Sequence, residues 1–196
     1  MIITLKHLEA IAGISTKLMP RLVEWINSIC PDYEIDTAQE YAHFLAQACH
    51  ESDHFKTTKE YASGKAYEGR IDLGNTSPGD GVKHKGRGIF QNTGKSEYER
   101  LGLLKGDKNL FTNNPELLEQ PEYAVWSACE YWKSRHLNDI ANHADTDILN
   151  KKYKGKILKL HPVDYISITI NGGYNGIDER RIFYERAKVA LSEGSL

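Results

Sequence analysis

Two glutamates, Glu51 and Glu60, are the residues whose type and spacing best suit a chemical reaction. Hydrolysis of a glycosidic bond needs an acid that protonates the leaving oxygen and a carboxylate that activates water or attacks the sugar. We expect Glu51, at the end of an apolar stripe, to be partly desolvated. Desolvation raises the pKa of a carboxyl group, which suits the role of general acid. We expect Glu60, among lysines and polar loop residues, to stay ionised, which suits the base. Because glutamates at this spacing are also common on solvated surfaces, the pair alone leaves the role open.

A second pattern overlaps the first, because His50, Glu51 and His54 match HExxH. In that motif two histidines on one helical face bind zinc and the glutamate activates water. The extended form of the motif fails, since Thr57 and Glu60 stand where its glycine and third histidine would be. We therefore interpret His50 as a buried packing or hydrogen-bonding histidine and expect no metal or other cofactor. A zinc endopeptidase remains an alternative of another class.

The elements around these residues follow from start and stop signals. Helical spacing of apolar residues predicts a helix over 15–30, with Pro20 in its first turns. Thr37 and Glu40 form a capping box, and the apolar stripe that follows predicts a buried helix ending near Glu51. On one continuous helix, nine residues at about 100° each would place Glu51 and Glu60 on opposite sides. The helix must therefore end between them if both are to face one cleft.

The segment 57–94 holds half of the 16 glycines and lacks helical periodicity. Such long loops are uncommon in compact domains and are usually functional or disordered. Apolar and aromatic residues within it indicate order, so we predict a glycine-rich binding surface made largely of backbone, with a short hairpin.

The C-terminal part of the chain gives weaker signals. Pro121 begins a predicted helix, and Asp178 is predicted to cap the last one. The basic run 151–159 is interpreted as a solvated face or loop, with contact to an anionic wall polymer as the alternative. Residues 166–170 alternate like a strand.

Composition limits the classes of partner. The chain has 196 residues, 25 Lys+Arg against 27 Asp+Glu and a formal charge of −2, which gives no general reason to expect nucleic acid. No stretch reaches the ~18 apolar residues of a membrane span. Three widely spaced cysteines, without a CxxC pair, predict reduced, buried thiols. We expect one catalytic domain over 1–196, a monomer, without a separate wall-binding module.

The N-terminal residues lack the charged, apolar and small-residue regions of a secretory signal peptide. We therefore expect the protein to be made in the cytoplasm. If its substrate is the bacterial cell wall, it would act there after release or export by another route.

Several blocks of sequence, from about residue 37 to 191, resemble glycoside hydrolase family 19 in the order in which that family carries them. The blocks are AHFLAQACHES at 42–52, EYASG at 60–64, YEGRIDLGN at 67–75, GDG at 79–81, KGRGIFQNTG at 85–94 and INGGYNG at 170–176, followed by Arg180. Within the family, the chain looks most similar to chitinase-like endolysins of bacteriophages.

This resemblance implies a mainly α-helical, lysozyme-like fold of two lobes with a cleft between them, and an inverting mechanism. It implies that Glu51 is the general acid and Glu60 the general base, with carboxyls about 6.5–9.5 Å apart. Thr93 would help to hold the attacking water, and Gln91 and Asn171 would bind sugar hydroxyl and N-acetyl groups. Arg180 would lie near the base.

Each of these residues also has a structural interpretation. Thr93 is a possible helix cap, Asn171 a turn residue and Arg180 a surface charge. Tyr61, Tyr67 and Tyr98 suit stacking on sugar faces, but a core would use tyrosines as well.

Two features depart from the family pattern. Asn92 is polar where the family usually has an apolar residue, and the family implies helix where 166–170 alternates like a strand. We follow the family at 166–170, because longer context outranks a five-residue pattern.

The sequence thus predicts an endolysin-type hydrolase that cleaves β-1,4 bonds of the peptidoglycan glycan strand and lyses bacteria. A chitinase with the same catalytic pair is the nearest alternative, because chitin also presents N-acetylglucosamine. A sugar-binding module without turnover is a non-enzymatic alternative.

Overall fold

The computed structural model describes residues 1–192, and α-helices form most of it, as predicted. The helices are α1 (Leu5–Ala12), α2 (Met19–Ile29), α3 (Ala38–Glu51), α4 (Asp80–Lys83), α5 (Lys95–Leu104), α6 (Leu110–Asn113), α7 (Pro121–Ser134), α8 (Leu137–Ala141), α9 (Pro162–Asn171) and α10 (Ile177–Ser192). Short 3-10 turns lie at Cys30–Tyr33, Lys65–Tyr67, Ile71–Leu73 and Pro115–Glu119. Two strands, β1 (Leu149–Tyr153) and β2 (Lys156–Leu160), pair as an antiparallel hairpin.

Helix α3 is the centre of the main hydrophobic core. The predicted capping box is present, with the Thr37 hydroxyl accepting from the Glu40 amide and the Glu40 carboxylate accepting from the Thr37 amide. Every residue from Glu40 to Cys49 is buried, and α3 packs against α1, α8, α9 and α10. The helix that ends at Glu51 is therefore held on several sides.

A second, smaller hydrophobic cluster lies apart from the main core. It is formed by Tyr98, Leu101, Phe111, Leu118 and Trp126, which come from α5, α6, the turn before α7 and α7 itself. Helix α7 contributes to both clusters, because Val125 and Trp132 belong to the main core. Two clusters joined through one helix agree with the predicted two-lobed arrangement.

The glycine-rich segment is ordered, but the predicted hairpin does not lie within it. Between 57 and 94 the chain forms only short helical turns and isolated bridges, from Lys59 to Arg87 and from Arg87 to Asn92. Among the described residues, a hairpin forms instead in the basic run 151–159. In its turn, Lys154 and Gly155 have φ of 47° and 77°. Two consecutive positive φ values suit the tight turn that matches strand twist.

The structure also tests the predictions for residues 166–170 and for the start of the last helix. Residues 166–170 are helical, inside α9, so the strand-like alternation was misleading and the family context was right. Helix α10 begins at Ile177, so Asp178 lies in its first turn and the prediction of Asp178 as N-cap was wrong. A carboxylate in the first turn still stabilises the positive end of the helix dipole.

The three cysteines are free and buried, as predicted. The sulfurs of Cys30 and Cys129 lie 3.7 Å apart in the core. Within residues 1–192, no helix combines the length and the apolar character needed to cross a bilayer.

His43 is a buried histidine whose two ring nitrogens have no partner among the described residues. It stacks on Tyr184 at 4.1 Å between ring centroids. Burial lowers the pKa of His43 to about 4, outweighing the nearby charge of Asp145.

We predict that His43 makes the fold sensitive to mild acid. Between pH 6.5 and about 4 the unfolded histidine binds a proton that the folded one does not, so stability falls as pH falls through this window. The loss should approach about 3 kcal/mol. In His43→Phe, the difference in the free energy of unfolding between pH 7 and pH 4 should shrink by that order, measured by urea denaturation. An unchanged difference would contradict the prediction.

Candidate active site

Glu51 ends α3 and faces a buried arginine of α10. An Nη2–H of Arg180 donates to Glu51 Oε1, and Arg180 itself has no exposed surface. The other guanidinium end donates to Gln47 Oε1 at 2.6 Å, and Gln47 Nε2 donates to Ser167 Oγ at 3.0 Å. This chain of contacts links α3, α9 and α10 behind the carboxylate and fixes its position.

The chain reverses direction immediately after Glu51. Asp53, His54 and Phe55 have φ of 48°, 60° and 59°, a run in the left-handed region that costs side-chain-bearing residues about 1–2 kcal/mol each. Phe55 is fully buried and Ser52 Oγ accepts from its amide at 3.1 Å, so packing and hydrogen bonding hold the turn. The helix break predicted between the two glutamates is therefore confirmed as a left-handed turn.

Glu60 is held on the far side of this turn. Its Oε1 accepts from the Tyr67 hydroxyl at 2.9 Å, and its Oε2 accepts from the Gly86 amide at 3.0 Å. The Glu60 amide donates to Gly86 O, and Lys85 Nζ donates to the Glu60 carbonyl. Burial raises the pKa of Tyr67, and its hydrogen bond to Glu60 raises it further, so this hydroxyl stays a donor.

A groove of about 500 Å³ lies close to Glu60. It is lined by Asp72, Leu73, Phe90, Gln91, Asn92, Thr93, Ser96, Glu97, Arg100, Tyr131, Arg135 and Ile170. Glu60 is close to this groove, because a methyl group placed on Gly86 would lie 2.6 Å from Gln91 Oε1 and 3.2 Å from Glu60 Oε2. Burial raises the pKa of Tyr131, and the negative charge of Glu51 contributes to the increase, so Glu51 lies within electrostatic range of the groove wall.

Gln91 and Thr93 both line the groove, as the proposed roles require. Gln91 has φ of 51°, an uncommon conformation for a residue with a side chain, and its Nε2 donates to Gly88 O at 3.1 Å. Thr93 Oγ1 donates to the Gln91 carbonyl at 2.8 Å. Strained residues held by their surroundings often mark functional sites.

Asn92 is accommodated without disturbing the packing. The side chain is buried, and its Nδ2 donates to Arg87 O at 3.0 Å and to Ser127 Oγ at 2.9 Å. A buried amide that keeps its hydrogen bonds costs little. Ser127 thus supplies the polar partner that an apolar residue would not need.

Asn171 is exposed at the end of α9, next to the groove residue Ile170. The following glycine-rich turn folds back against α3, because a methyl group on Gly176 would overlap the His50 ring. His50 Nδ1 also lies 2.6 Å from Glu179 Oε2. His50 is therefore a partly buried histidine that both packs and hydrogen-bonds, as interpreted from the sequence.

Two predicted site residues lie elsewhere than expected. Tyr98 is fully buried, and its hydroxyl donates to Lys85 O and accepts from Arg87, so it has no face to offer a sugar. Arg180 pairs with Glu51, the predicted acid, and the contacts of Glu60 come from Tyr67 and Gly86. The prediction that Arg180 serves the base was wrong, because sequence order does not show which glutamate the last helix packs against.

The described residues do not form the zinc geometry of HExxH. Helix α3 ends at Glu51, and His54 follows in the left-handed region, so the two histidines do not share a helical face. Both histidines face Glu179, while Glu51 faces Arg180. Residues 1–192 contain no cluster of three side chains placed to hold a metal ion.

Sequence reasoning missed two groove residues, Tyr131 on α7 and Arg135, which caps the C-terminal end of that helix. The Arg135 guanidinium lies 3.5 Å from the centre of the Tyr131 ring, and the Tyr131 hydroxyl donates to Thr169 O. Their spacing of four residues on one helix was the available signal, because such residues share a face.

Comparisons with known proteins find one similar sequence and several similar folds. A curated relative, a glycosyl hydrolase family 19 domain-containing protein of Haemophilus influenzae, is 27% identical over 135 residues, which cover 69% of this chain and 56% of the relative. Chitinase C from Streptomyces griseus superposes with a TM-score of 0.64 at 17% identity, over 97% of this chain and 93% of that one. A bacterial family 19 chitinase gives 0.62 at 18% identity, over 97% and 95%.

The resemblance to glycoside hydrolase family 19 is confirmed. The fold of this chain is that of the bacterial family 19 chitinase. No protein-family model matches the chain. The chain spans little more than half of its curated family 19 relative, and the similarity to phage endolysins stays a prediction.

We predict that Arg180 stabilises the fold through Glu51. Arg180→Met leaves a partly buried carboxylate without its partner and should lower the free energy of unfolding by about 3 kcal/mol, measured by urea denaturation at pH 7. Arg21→Met, which removes an exposed arginine of α2, should change it by less than about 0.5 kcal/mol.

The double variant Glu51→Gln/Arg180→Met separates the ion pair from general packing. Because it also removes the stranded charge, its loss of stability should be smaller than the sum of the two single losses. Strict additivity would show that the two side chains do not interact.

Proposed function

We propose that this chain is an endolysin-type glycoside hydrolase that cleaves β-1,4 bonds in the glycan strand of peptidoglycan by inversion. The observation that best supports the proposal is that a left-handed turn separates Glu51 from Glu60 and gives each carboxylate its own partners, with Glu60 next to the groove. Two carboxyl groups flanking a sugar-sized groove are the requirement for this reaction.

Glu51 is assigned as the general acid. Arg180 contacts Oε1, so Oε2 is the oxygen from which the proton passes to the leaving glycosidic oxygen. Once that proton has left, the guanidinium stabilises the resulting carboxylate. The ion pair with Arg180 thus favours the product of the proton transfer.

Glu60 is assigned as the general base. The bonds from Tyr67 and Gly86 orient its carboxylate, and each oxygen keeps a further lone pair for a water molecule. A water held between Glu60 and the Thr93 hydroxyl would attack the anomeric carbon as its proton passes to Glu60. The bond to the leaving oxygen then breaks, and the configuration at the anomeric carbon inverts.

Gln91 and Asn171 are assigned to the sugar. Gln91 borders both the groove and Glu60, and exposed Asn171 presents an amide at the end of α9. Side-chain amides both donate and accept, which suits hydroxyl and N-acetyl groups.

The proposal extends to the setting of the reaction. A peptidoglycan hydrolase made in the cytoplasm would reach the wall after release or export, and cutting glycan strands there would lyse the cell. Chitinase activity is the second candidate, because two of the similar structures are named chitinases.

The experiment is digestion of purified peptidoglycan and of chitin oligomers, with products read by mass spectrometry and their anomers by NMR. Glu51→Gln and Glu60→Gln should each reduce kcat at least about 10²-fold, since each removes a proton-transfer group that contributes about 10²–10⁴-fold. Glu24→Gln, an exposed glutamate on α2, is the matched control and should be fully active.

The outcomes separate the candidates. New sugar reducing ends of inverted configuration, formed equally with and without EDTA, would support the glycosidase. Faster cleavage of peptidoglycan or of chitin oligomers would identify the substrate. Intact glycan with cleaved peptides, abolished by EDTA, would refute it. Binding without turnover, equal in Glu51→Gln and wild type, would indicate a sugar-binding module.

A further inference from the structure

The β-hairpin carries a concentration of positive charge that the fold does not neutralise. Residues 149–160 contain five lysines and no acidic residue, in a chain of net charge −2. Lys152, Lys154, Lys156 and Lys159 are exposed, and none of the five lysines pairs with a carboxylate of residues 1–192. A surface of one sign attracts partners of the opposite sign.

The strand register divides the hairpin into two faces, and two of the exposed lysines, Lys152 and Lys159, share the outward face. Paired residues share a face of the hairpin, so Lys152 lies beside Ile157 and Asn150 beside Lys159 on the outward face. Leu149 and Leu160, paired on the other face, are turned toward the body of the protein. Because the inward face anchors the hairpin, Lys152 and Lys159 of the outward face and Lys154 of the turn are presented to solvent.

The hairpin is attached directly to the end of α9 that carries Asn171. The Tyr153 hydroxyl donates to Gly172 O at 2.7 Å, and Lys151 Nζ donates to Thr169 Oγ1 at 2.7 Å. Tyr153 also packs edge-on against Tyr174 in the following turn. The exposed lysines of the hairpin are therefore held next to Asn171, the residue assigned to the sugar.

We propose that the exposed lysines Lys152, Lys154 and Lys159 of the hairpin bind the carboxylates of a glycan that lies in the groove, and thereby favour peptidoglycan over chitin. The inference rests on the proposed function and names the substrate class of the same site. The peptide stems of peptidoglycan, each joined by an amide to a lactyl group, carry free carboxylates along the strand, whereas chitin is uncharged. A polymer whose sugars occupy the groove near Asn171 brings its side groups within reach of the hairpin.

Binding is measured without turnover, so that this proposal is separable from the catalytic one. Glu51→Gln protein is sedimented with peptidoglycan sacculi freed of teichoic acids, and with insoluble chitin, at low and high salt. The test variant adds Lys152→Gln, Lys154→Gln and Lys159→Gln. The control variant adds Lys6→Gln, Lys17→Gln and Arg21→Gln, three exposed charges on or beside α1 and α2.

The hairpin variant should bind sacculi roughly tenfold more weakly at low salt, as expected for the loss of three surface contacts. The difference should shrink as salt rises, because exposed charges are screened within about 10 Å at 0.1 M. Its binding to chitin, and the binding of the control variant to both polymers, should not change. Replacing the same three lysines by arginine should preserve binding.

Four outcomes would overturn the proposal. These are absence of binding to sacculi, equal loss in hairpin and control variants, equal loss on chitin, or equally strong hairpin-dependent binding to phosphatidylglycerol vesicles. Amidating the peptide carboxylates of the sacculi with a carbodiimide and an amine should abolish the difference between the hairpin and control variants, because it removes the charge that the lysines bind. Hairpin-dependent binding by an enzyme that fails to cleave glycan would uphold this inference and refute the proposed function.

Discussion

The buried contact between Arg180 and Glu51 is the interaction on which the rest of the site depends. A guanidinium without exposed surface needs a charged partner, and a carboxylate at the end of a buried helix needs a donor. Their pairing ties α10 to α3, and Gln47 and Ser167 extend it to α9. The same contact therefore orients the acid and fixes the three helices around it.

The left-handed turn after Glu51 is the second constraint. Three consecutive residues with positive φ are unfavourable in isolation, and burial of Phe55 offsets the cost. The turn redirects the chain so that Glu60 meets Gly86 and Tyr67 on the other side. One carboxylate is thus held by a cation in the core, and the other by a hydroxyl and an amide at the groove.

Much of the fold was predictable because its signals are local. The capping box at Thr37, the proline that begins α7 and the glycine-rich texture of 57–94 each depend on neighbouring residues. The hairpin was misplaced because Lys154-Gly155 is a weak turn signal inside a charged run, while the loop glycines offered many stronger ones. Tyr98 was misassigned because a tyrosine at helical spacing looks the same from sequence whether it faces a cleft or the core.

The sequence by itself determined the helical class, the reduced cysteines, the break between the two glutamates and the resemblance to family 19. These properties depend on composition, periodicity and short motifs, which can be read from neighbouring residues. Only the tertiary structure decided that Arg180 belongs to Glu51, that Tyr67 and Gly86 belong to Glu60, and that the basic hairpin lies beside Asn171. Those pairings join residues distant in sequence. Such contacts depend on how whole helices and loops pack, because the type of a side chain does not determine which partner it meets.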